Sequence, residues 1–323
     1  MIKMANQYVS DVTRRLRSLL KDAVQRSLAD CILLSGGLDT SVIIAIASKP
    51  SNLTGITVSL GEAPDMRFAS LIAEKFGLRH EVVRVDMDDV EQAIPAVVRI
   101  MQSFDPMEVR NDATILIGLR AVSEEGFRSV MTGDAADELF AGYSFFFKMS
   151  YDQLKNRLME IWRTMRFASV PLAESLGIRA KLPFLDEEFK SYAMASDVPL
   201  KIREERGRTY GKWILRKSFE HELPEEIIWR VKMPIEQGSG TSSLPEYYAK
   251  KIDDSEFERR RRMLWNSDKV HLRDKEQLAY YETYREMFGV PADRGNGSKI
   301  CGGCSTHLPE EANYCRTCGE YPI

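Results

Sequence analysis

The sequence predicts a doubly wound parallel α/β sheet, followed by a helical second half and a small C-terminal ribbon. Three observations carry this prediction. Strand and helix patterns alternate over residues 31–145, as they do in proteins built on a parallel sheet. Two glycine turns each follow a short apolar run, and four of the five cysteines lie in the last 23 residues. A chain of 323 residues is long enough for one large domain with an appendage.

The first elements form a strand, a turn and a helix. Apolar residues recur at three- and four-residue steps over Val9–Leu28, which predicts an amphipathic helix. The apolar run Cys31–Leu34 predicts a short buried strand that leads into two glycines. A helix is expected over Asp39–Ser48, ended by Lys49-Pro50. This order of elements opens a parallel α/β sheet.

The alternation continues to the second glycine turn. Runs bounded by turn residues predict strands, and runs with helical periodicity predict helices. In chain order, the predicted elements are strand Leu53–Leu60, helix Asp65–Phe76, strand His80–Val85, helices Val90–Met101 and Ala113–Glu125, and strand Ser129–Met131. After Phe145 the pattern is mostly helical as far as Phe219.

Composition narrows the class of protein. The hydrophobic fraction is 44% and the charged fraction 29%, as in ordinary globular domains. No apolar run approaches the roughly 18 residues of a membrane span, and the N-terminus lacks a secretory signal. We therefore expect a cytoplasmic protein that does not act at a membrane. The net charge of −3 argues against a protein that coats nucleic acid. The Arg259–Arg262 run is interpreted as a solvated helix face, with a binding patch as the alternative.

Four segments are expected along the chain. Residues 1–30 form the N-terminal amphipathic helix, and residues 31–288 form the large domain. Residues 289–299 are rich in Gly, Pro, Asp and Asn, which predicts a flexible linker. Residues 300–323 form the cysteine-rich ribbon.

The first glycine turn, Ser35–Ser41, has the composition of a phosphate-binding loop. Its two glycines let backbone amides approach an anion, its hydroxyl groups can donate to phosphate oxygens, and the helix start adds partial positive charge. Asp39 would repel a bare phosphate and is better suited to hold Mg²⁺. The turn lacks the spacing and the lysine of the loop that cleaves γ-phosphates. An ordinary tight turn is the simpler alternative.

The second glycine turn repeats this arrangement later in the chain. It contains Gly133 and the carboxylates of Asp134, Asp137 and Glu138. Because a Mg²⁺ ion on a nucleotide usually takes one or two protein carboxylates, Asp137 is the natural partner of Asp39. Asp134 is a candidate base or substrate-orienting group. An acidic helix N-terminus without a ligand is the alternative.

Together the two turns resemble the synthetase domain of the asparagine synthetase family. This family belongs to the wider group of ATP pyrophosphatases, whose Ser-Gly-Gly-x-Asp-Ser loop holds the pyrophosphate of ATP. The resemblance covers about residues 11–250 at family-like spacing, and it includes Gly55–Leu60, Pro64-Asp65, Phe104-Asp105, Gly177–Asp186, Lys212–Arg216, Leu223-Pro224 and Trp229–Lys232.

The resemblance implies a ligase. ATP and a carboxylate, aspartate or a related acid, would form an acyl-adenylate and pyrophosphate, and ammonia or an amine would then give an amide and AMP. Asp39 and Asp137 match the Mg²⁺ ligands, Lys232 matches a lysine that neutralises charge on the pyrophosphate, and Asp134 and Arg110 match further catalytic positions. The ATP-binding positions are matched by Ser35, Gly36, Gly37, Asp39, Thr40 and Ser41 around the pyrophosphate, and by Leu33, Val58 and Gly133 around the adenosine.

Departures from the family pattern leave the acid and the nitrogen source open. Asp134 stands where asparagine synthetases usually carry Glu, Thr40 replaces a Ser, and Met233-Pro234 replaces a Glu after Lys232. The glutaminase half of glutamine-dependent members is expected to be absent. Nitrogen would then come from free ammonia, from a separate glutaminase or carrier partner, or from an amine substrate.

The C-terminal cysteines form two Cys-x₂-Cys pairs, Cys301 with Cys304 and Cys315 with Cys318. Four thiolates at this spacing can close a tetrahedron around Zn²⁺, and a closed four-sulfur shell indicates a structural ion. Iron is a minor alternative, and disulfides are disfavoured in a cytoplasmic chain. From Val290 onward the chain has three basic and four acidic residues, so it lacks the positive charge expected for RNA binding. Protein docking or a homodimer contact is therefore favoured over RNA binding.

Two alternative functions stay open. Other members of the wider loop group adenylate a base or a carbonyl in RNA. A non-catalytic nucleotide-binding subunit would instead regulate a partner.

Overall fold

The computed structural model describes residues 2–47 and 52–323, with side chains from residue 6 onward in the first range. The predicted helix end at Lys49-Pro50 lies outside the described residues. The chain divides into two compact units. The first unit comprises Met1–Thr57, Pro64–Val83 and Leu119–Met233, and the second comprises Val58–Ala63, Arg84–Gly118 and Pro234–Ile323.

A five-stranded sheet with the order β3-β2-β1-β4-β5 organises the fold. Strand β1 pairs in parallel with β2 and β4, and β4 pairs in parallel with β5. The order reverses direction at β1, which is the signature of a doubly wound sheet, so the predicted fold class is confirmed. The strands are β1 Cys31–Leu33, β2 Thr54–Leu60, β3 Arg79–Val85, β4 Ser129–Met131 and β5 Arg179–Lys181.

Strand β5 lies in the region that was expected to be mostly helical. Its three residues include Arg179 and Lys181, and it forms one edge of the sheet. Charged residues are common on edge strands, where they give no apolar strand signal. Two short hairpins complete the strands: β6 Arg203–Glu205 with β7 Arg208–Tyr210, and β8 Lys299–Ile300 with β9 His307–Leu308.

Most predicted helices of the first half are confirmed. Helix α3 has the predicted bounds and ends at Gly77, whose φ is 65°, whereas α5 begins at Pro106 rather than Ala113. The helices are α1 Ile2–Arg26, α2 Leu38–Ala47, α3 Asp65–Phe76, α4 Met87–Met101, α5 Pro106–Glu124, α6 Ala136–Leu139, α7 Tyr151–Thr164, α8 Ser169–Ser175, α9 Glu187–Ala195, α10 Val198–Lys201, α11 Trp213–Phe219, α12 Glu225–Ile228, α13 Ile235–Ser239, α14 Leu244–Lys251, α15 Asp254–Asp268 and α16 Lys275–Phe288.

Helices α1 and α2 both contribute buried residues to the core of the first unit. The apolar face of α1, including Leu16 and Leu20, is buried, and α1 packs on α9 and α11. Helix α2 is buried on nearly all sides, because its sequence is apolar after the first turn.

The second unit has an aromatic core. The ring of Phe104 lies 4.9 Å from that of Tyr281 and 5.2 Å from that of Tyr284, centroid to centroid. Within the Arg259–Arg262 run, the first three arginines pair with glutamates of α15 and α16, as expected for a solvated helix face. In the described part of the chain, no helix is both long and apolar enough to cross a bilayer.

Candidate active site

The loop after β1 lies tightly against α3, and its first glycine permits this packing. Gly36 has a left-handed backbone with a φ of 64°. A Cβ atom there would lie 2.3 Å from the backbone nitrogen of Ala69 and 2.3 Å from the carbonyl carbon of Phe68. Only glycine avoids both the strained φ and this overlap.

Hydroxyl groups hold the rest of this loop together. Ser41 Oγ donates to Gly37 O at 2.6 Å, and Ser35 Oγ accepts from the Gly37 N–H at 3.2 Å. The hydroxyl oxygens of Ser35 and Thr40 lie 3.5 Å apart. The predicted pyrophosphate-binding residues thus lie together in the turn after β1 and the first turn of α2.

The loop after β4 lies directly beside the first loop. Strands β1 and β4 are paired, so their carboxyl ends lie together. A Cβ atom on Gly133 would lie 3.0 Å from Asp39 Cβ and 3.1 Å from Thr40 Cγ2. The two glycine turns therefore form a single site, at the point of strand-order reversal where doubly wound sheets bind ligands.

A lysine that the sequence analysis left unassigned lies between the two predicted magnesium ligands. Lys212 Nζ is 2.7 Å from Asp39 Oδ2 and 2.8 Å from Asp137 Oδ1, and its side chain is 5% exposed. Its backbone is left-handed, with a φ of 56°, and its N–H donates to Phe140 O at 2.8 Å. Residues 201–232 hold nine Lys or Arg against six Asp or Glu, but this excess does not single out Lys212.

Lys232, a predicted catalytic residue, reaches the same carboxylate pair. Its Nζ lies 2.8 Å from Asp137 Oδ2. Burial raises the pKa of Asp137, but the ammonium groups of Lys212 and Lys232 outweigh burial and hold this pKa at about 2. Burial also raises the pKa of Asp39, and there it exceeds the lowering effect of Lys212.

Asp134 is held by two hydroxyl groups. Thr132 Oγ1 donates to Asp134 Oδ2 at 2.8 Å, and Ser169 Oγ donates to the same oxygen at 2.5 Å. Burial raises the pKa of Asp134, and the two hydroxyl groups lower it in part. Ser169 is a second residue that the sequence analysis missed, since it lies 35 positions further along the chain, outside both glycine turns.

Arg230 fixes the segment that carries Lys232 against the first glycine turn. Its Nη2 lies 2.5 Å from Asp65 Oδ1, and its Nη1 donates to Gly36 O at 3.4 Å. The guanidinium carbon lies 3.8 Å from the centroid of the Phe68 ring. Lys232, two positions after Arg230, is thereby held close to the first glycine turn.

Two predicted site residues belong to the second unit. Arg110 Nε lies 3.4 Å from Oε1 of the buried Glu276 and donates to Pro106 O at 3.1 Å. Val58 lies within β2. Their contributions to a nucleotide site stay predictions, whereas Leu33 ends β1 in the first unit.

The four C-terminal cysteines are buried together in the second unit. Their Sγ atoms all lie within 4.8 Å of one another. The Cys301–Cys318 and Cys304–Cys315 pairs are 3.6 and 3.7 Å apart. A tetrahedron of Zn–S bonds of about 2.3 Å has an edge of about 3.8 Å, so these spacings fit Zn²⁺.

The ribbon packs against helices of the second unit. Gln277 Nε2 of α16 donates to Cys318 O at 2.9 Å. The predicted linker 289–299 and the ribbon both belong to the second unit, which includes Pro234–Ile323. Three more hydrogen bonds join the ribbon to the connection between α4 and α5: Ser103 Oγ to Arg316 O at 2.7 Å, Phe104 N to Thr317 O at 2.7 Å, and Tyr314 Oη to Asp105 Oδ2 at 2.5 Å.

The sequence pattern of asparagine synthases matches residues 15–174 and 168–299 of this chain. The chain belongs to the asparagine synthase family. Its relatives include the glutamine-hydrolysing asparagine synthetase of Asparagus officinalis, 29% identical over 303 residues, which covers 84% of this chain and 50% of the relative. Asparagine synthetase B of Escherichia coli K12 is 28% identical over 305 residues, which covers 86% of this chain and 54% of that relative. This family member thus spans about half the length of the curated relatives it matches.

Solved structures give weaker similarities to this member of the asparagine synthase family. The NH3-dependent NAD synthetase of Campylobacter jejuni is 12% identical, covers 80% of this chain and 92% of its own, and has a TM-score of 0.34. A predicted tRNA methyltransferase subunit from Methanocaldococcus jannaschii is 18% identical and has a TM-score of 0.30. The match covers 62% of this chain and 92% of that subunit.

Proposed function

We propose that this protein is an ATP-dependent, AMP-forming ligase that converts a carboxylate into an amide by way of an acyl-adenylate. One observation carries the proposal. The first glycine turn, residues 35–41 (the phosphate-type loop), lies together with the Asp39, Lys212 and Asp137 cluster at the point where the strand order of the sheet reverses. Membership of the asparagine synthase family supports it. Aspartate or a related acid is the proposed substrate, since the relatives are named asparagine synthetases.

The residues of the site fit Mg²⁺. Asp39 and Asp137 offer carboxylate oxygens, the ligands that Mg²⁺ prefers. Asp137 Oδ1 is buried and lies 2.8 Å from the ammonium of Lys212, so a cation already occupies the place next to this oxygen where positive charge is favoured. These two carboxylates would hold Mg²⁺, which would neutralise charge on the pyrophosphate.

The basic groups of the site support the first step. A carboxylate oxygen of the substrate attacks the α-phosphorus, and pyrophosphate leaves with the bonding electron pair. Lys212 and Lys232, which both contact Asp137, would neutralise the negative charge that then develops on the pyrophosphate. We assign pyrophosphate binding to the amides and hydroxyls of residues 35–41, adenosine binding to Leu33, Val58 and Gly133, and a further catalytic role to Arg110.

Asp134 is proposed to act in the second step. The attacking ammonia or amine must lose a proton as the C–N bond forms and AMP leaves. Thr132 and Ser169 both donate to Oδ2, so Oδ1 is the oxygen that would orient the amine and take its proton. The hydroxyl groups favour the ionised form of Asp134 that this role requires.

For the ribbon we propose a structural Zn²⁺ held by Cys301, Cys304, Cys315 and Cys318. The buried thiols and their spacing support this assignment. A separate nitrogen-supplying partner, a homodimer and a cytoplasmic location remain proposals.

The test of this function is a pyrophosphate-exchange screen over carboxylic acids, beginning with aspartate. An accepted acid should support exchange of pyrophosphate into ATP, and with ammonia added it should release AMP and pyrophosphate. Asp39→Asn or Asp137→Asn should abolish both the exchange and the release. Asp88→Asn, which changes an exposed carboxylate of α4, is the matched control and should leave the rate unchanged. Release of ADP and phosphate would contradict the mechanism.

A further inference from the structure

The short helix α6 carries Asp137 and Glu138, and four residues are too few to form a stable helix alone. The segment is instead held by its carbonyl groups. Four consecutive carbonyl oxygens accept hydrogen bonds, one from the same turn and three from other parts of the first unit: Asp137 O from Gly142 N at 2.8 Å, Glu138 O from Trp162 Nε1 at 2.9 Å, Leu139 O from Lys201 Nζ at 2.9 Å, and Phe140 O from Lys212 N at 2.8 Å.

Lys201 is the unusual donor in this set. Its side chain is fully buried, and its ammonium also donates to Ala193 O and to Ser196 Oγ, the latter at 2.9 Å. The ammonium lies 5.3 Å from the centroid of the Phe140 ring and 5.4 Å from that of Trp162. A buried ammonium is costly unless its protons are used, and here three oxygens accept them.

The three acceptors belong to different elements. Leu139 ends α6, whereas Ala193 lies in the last turn of α9 and Ser196 follows that helix. A single cationic group therefore ties the end of α6 to the end of α9. An apolar side chain of the same length would fill the space but would leave all three oxygens without this donor.

We propose that Lys201 is a positioning residue for the magnesium-binding turn, and that it acts with Trp162 to hold α6 so that Asp137 faces Asp39. The inference rests on the proposed function for the role of Asp137. The hydrogen bonds that hold the turn do not depend on that function. Displacing a metal ligand by even a fraction of an ångström weakens the metal–nucleotide complex, whereas nucleotide contacts made without metal are unaffected.

The test compares Lys201→Met and Trp162→Phe with wild type. Mn²⁺ serves as the probe for Mg²⁺, and the affinity for ATP is measured with and without Mn²⁺. Both variants should raise the Kd for Mn²⁺·ATP by about tenfold or more, leave metal-free ATP binding unchanged, and speed amide exchange at Gly142 and Lys212. Lys217→Met is the matched control, because Lys217 pairs with Glu220 in the same unit, and it should behave as wild type.

Each outcome decides a separate question. Wild-type Mn²⁺·ATP affinity and wild-type amide exchange in both variants would overturn the positioning role. If Lys201→Met does not fold, Trp162→Phe, which keeps the ring and removes only the donor to Glu138 O, decides it. If wild type fails to bind Mn²⁺·ATP, the proposed function fails, and the exchange rates still show whether Lys201 holds the turn.

Discussion

Lys212 Nζ lies 2.7 Å from Asp39 Oδ2, although the two residues are 173 positions apart. Two glycines make room for this contact. A Cβ atom on Gly142 would lie 2.4 Å from Lys212 Cε, and one on Gly211 would lie 2.2 Å from Ala141 O. The left-handed backbone of Lys212 turns its side chain into this space. The charge balance of the site thus depends on backbone features that flank the charged residues.

Lys212→Met should abolish the proposed activity and destabilise the protein. Asp39 and Asp137 would lose their shared counter-ion, so the pKa of both carboxyl groups should rise. We expect the pyrophosphate-exchange rate to fall by at least about 100-fold and the free energy of unfolding to fall by about 3 kcal/mol. Mg²⁺ should raise the melting temperature of the variant more than that of wild type, because it restores the missing positive charge. Equal Mg²⁺ effects on the two proteins would argue against metal binding at these carboxylates.

Gly133→Ala should weaken ATP binding without preventing folding. The new methyl group would press against Asp39 Cβ and Thr40 Cγ2 and displace the phosphate-type loop. A shift of this size is expected to raise the KM for ATP by about tenfold. Gly302→Ala is the control, because a Cβ atom there has no neighbour within 4 Å. An unchanged KM for ATP would contradict the placement of nucleotide between the two glycine turns.

Ser169→Ala should change the pH dependence of amide formation. The Ser169 hydroxyl lowers the pKa of Asp134, so its removal should raise that pKa. If ionised Asp134 takes the proton of the amine, the acidic limb of the rate profile moves to higher pH. Thr132→Val, which removes the other hydroxyl donor, should shift the limb in the same direction. Profiles that coincide with wild type would exclude Asp134 as the titrating base.

Removing zinc should loosen the connection between α4 and α5. With the cysteines unligated, the ribbon would lose its fold, and Phe104 would lose the acceptor of its N–H, Thr317 O. Chelation, or Cys315→Ser, should therefore speed amide exchange at Phe104 and at His271, whose N–H donates to Gly303 O. The amide of Ile252 at the end of α14 serves as the internal control. Unchanged exchange at Phe104 after metal removal would show that the ribbon holds without zinc.

Lys201 should make the stability of the protein rise with pH. Burial lowers the pKa of this amine to about 7 in the folded protein, with a small opposing effect of Asp197. Between this pKa and the unfolded value near 10.4, the unfolded chain binds the extra proton. The free energy of unfolding should then rise by up to about 1.4 kcal/mol per pH unit above pH 7. Urea unfolding of wild type and Lys201→Met at pH 7, 8 and 9 measures this difference, and parallel curves would contradict it.

Local sequence patterns were sufficient for two elements of the first unit. Strand β4 and helix α3 have the predicted bounds, because each is defined by its own residues and by a turn residue at its end. Strand β5 was missed, since three residues at a sheet edge carry no periodicity of their own. The start of α5 was placed too late, because polar residues follow Pro106 before the apolar pattern resumes.

Local sequence patterns were likewise sufficient for only part of the candidate site. The sequence by itself determined the two glycine turns, their carboxylates and the four cysteines, because these groups lie close together along the chain and their spacing has chemical meaning. Only the tertiary structure decided that Lys212 lies between Asp39 and Asp137, that Ser169 donates to Asp134, and that the ribbon packs on α16 within the second unit. These contacts join residues far apart in sequence, and such pairings are fixed by strand order and backbone turns that no local pattern encodes.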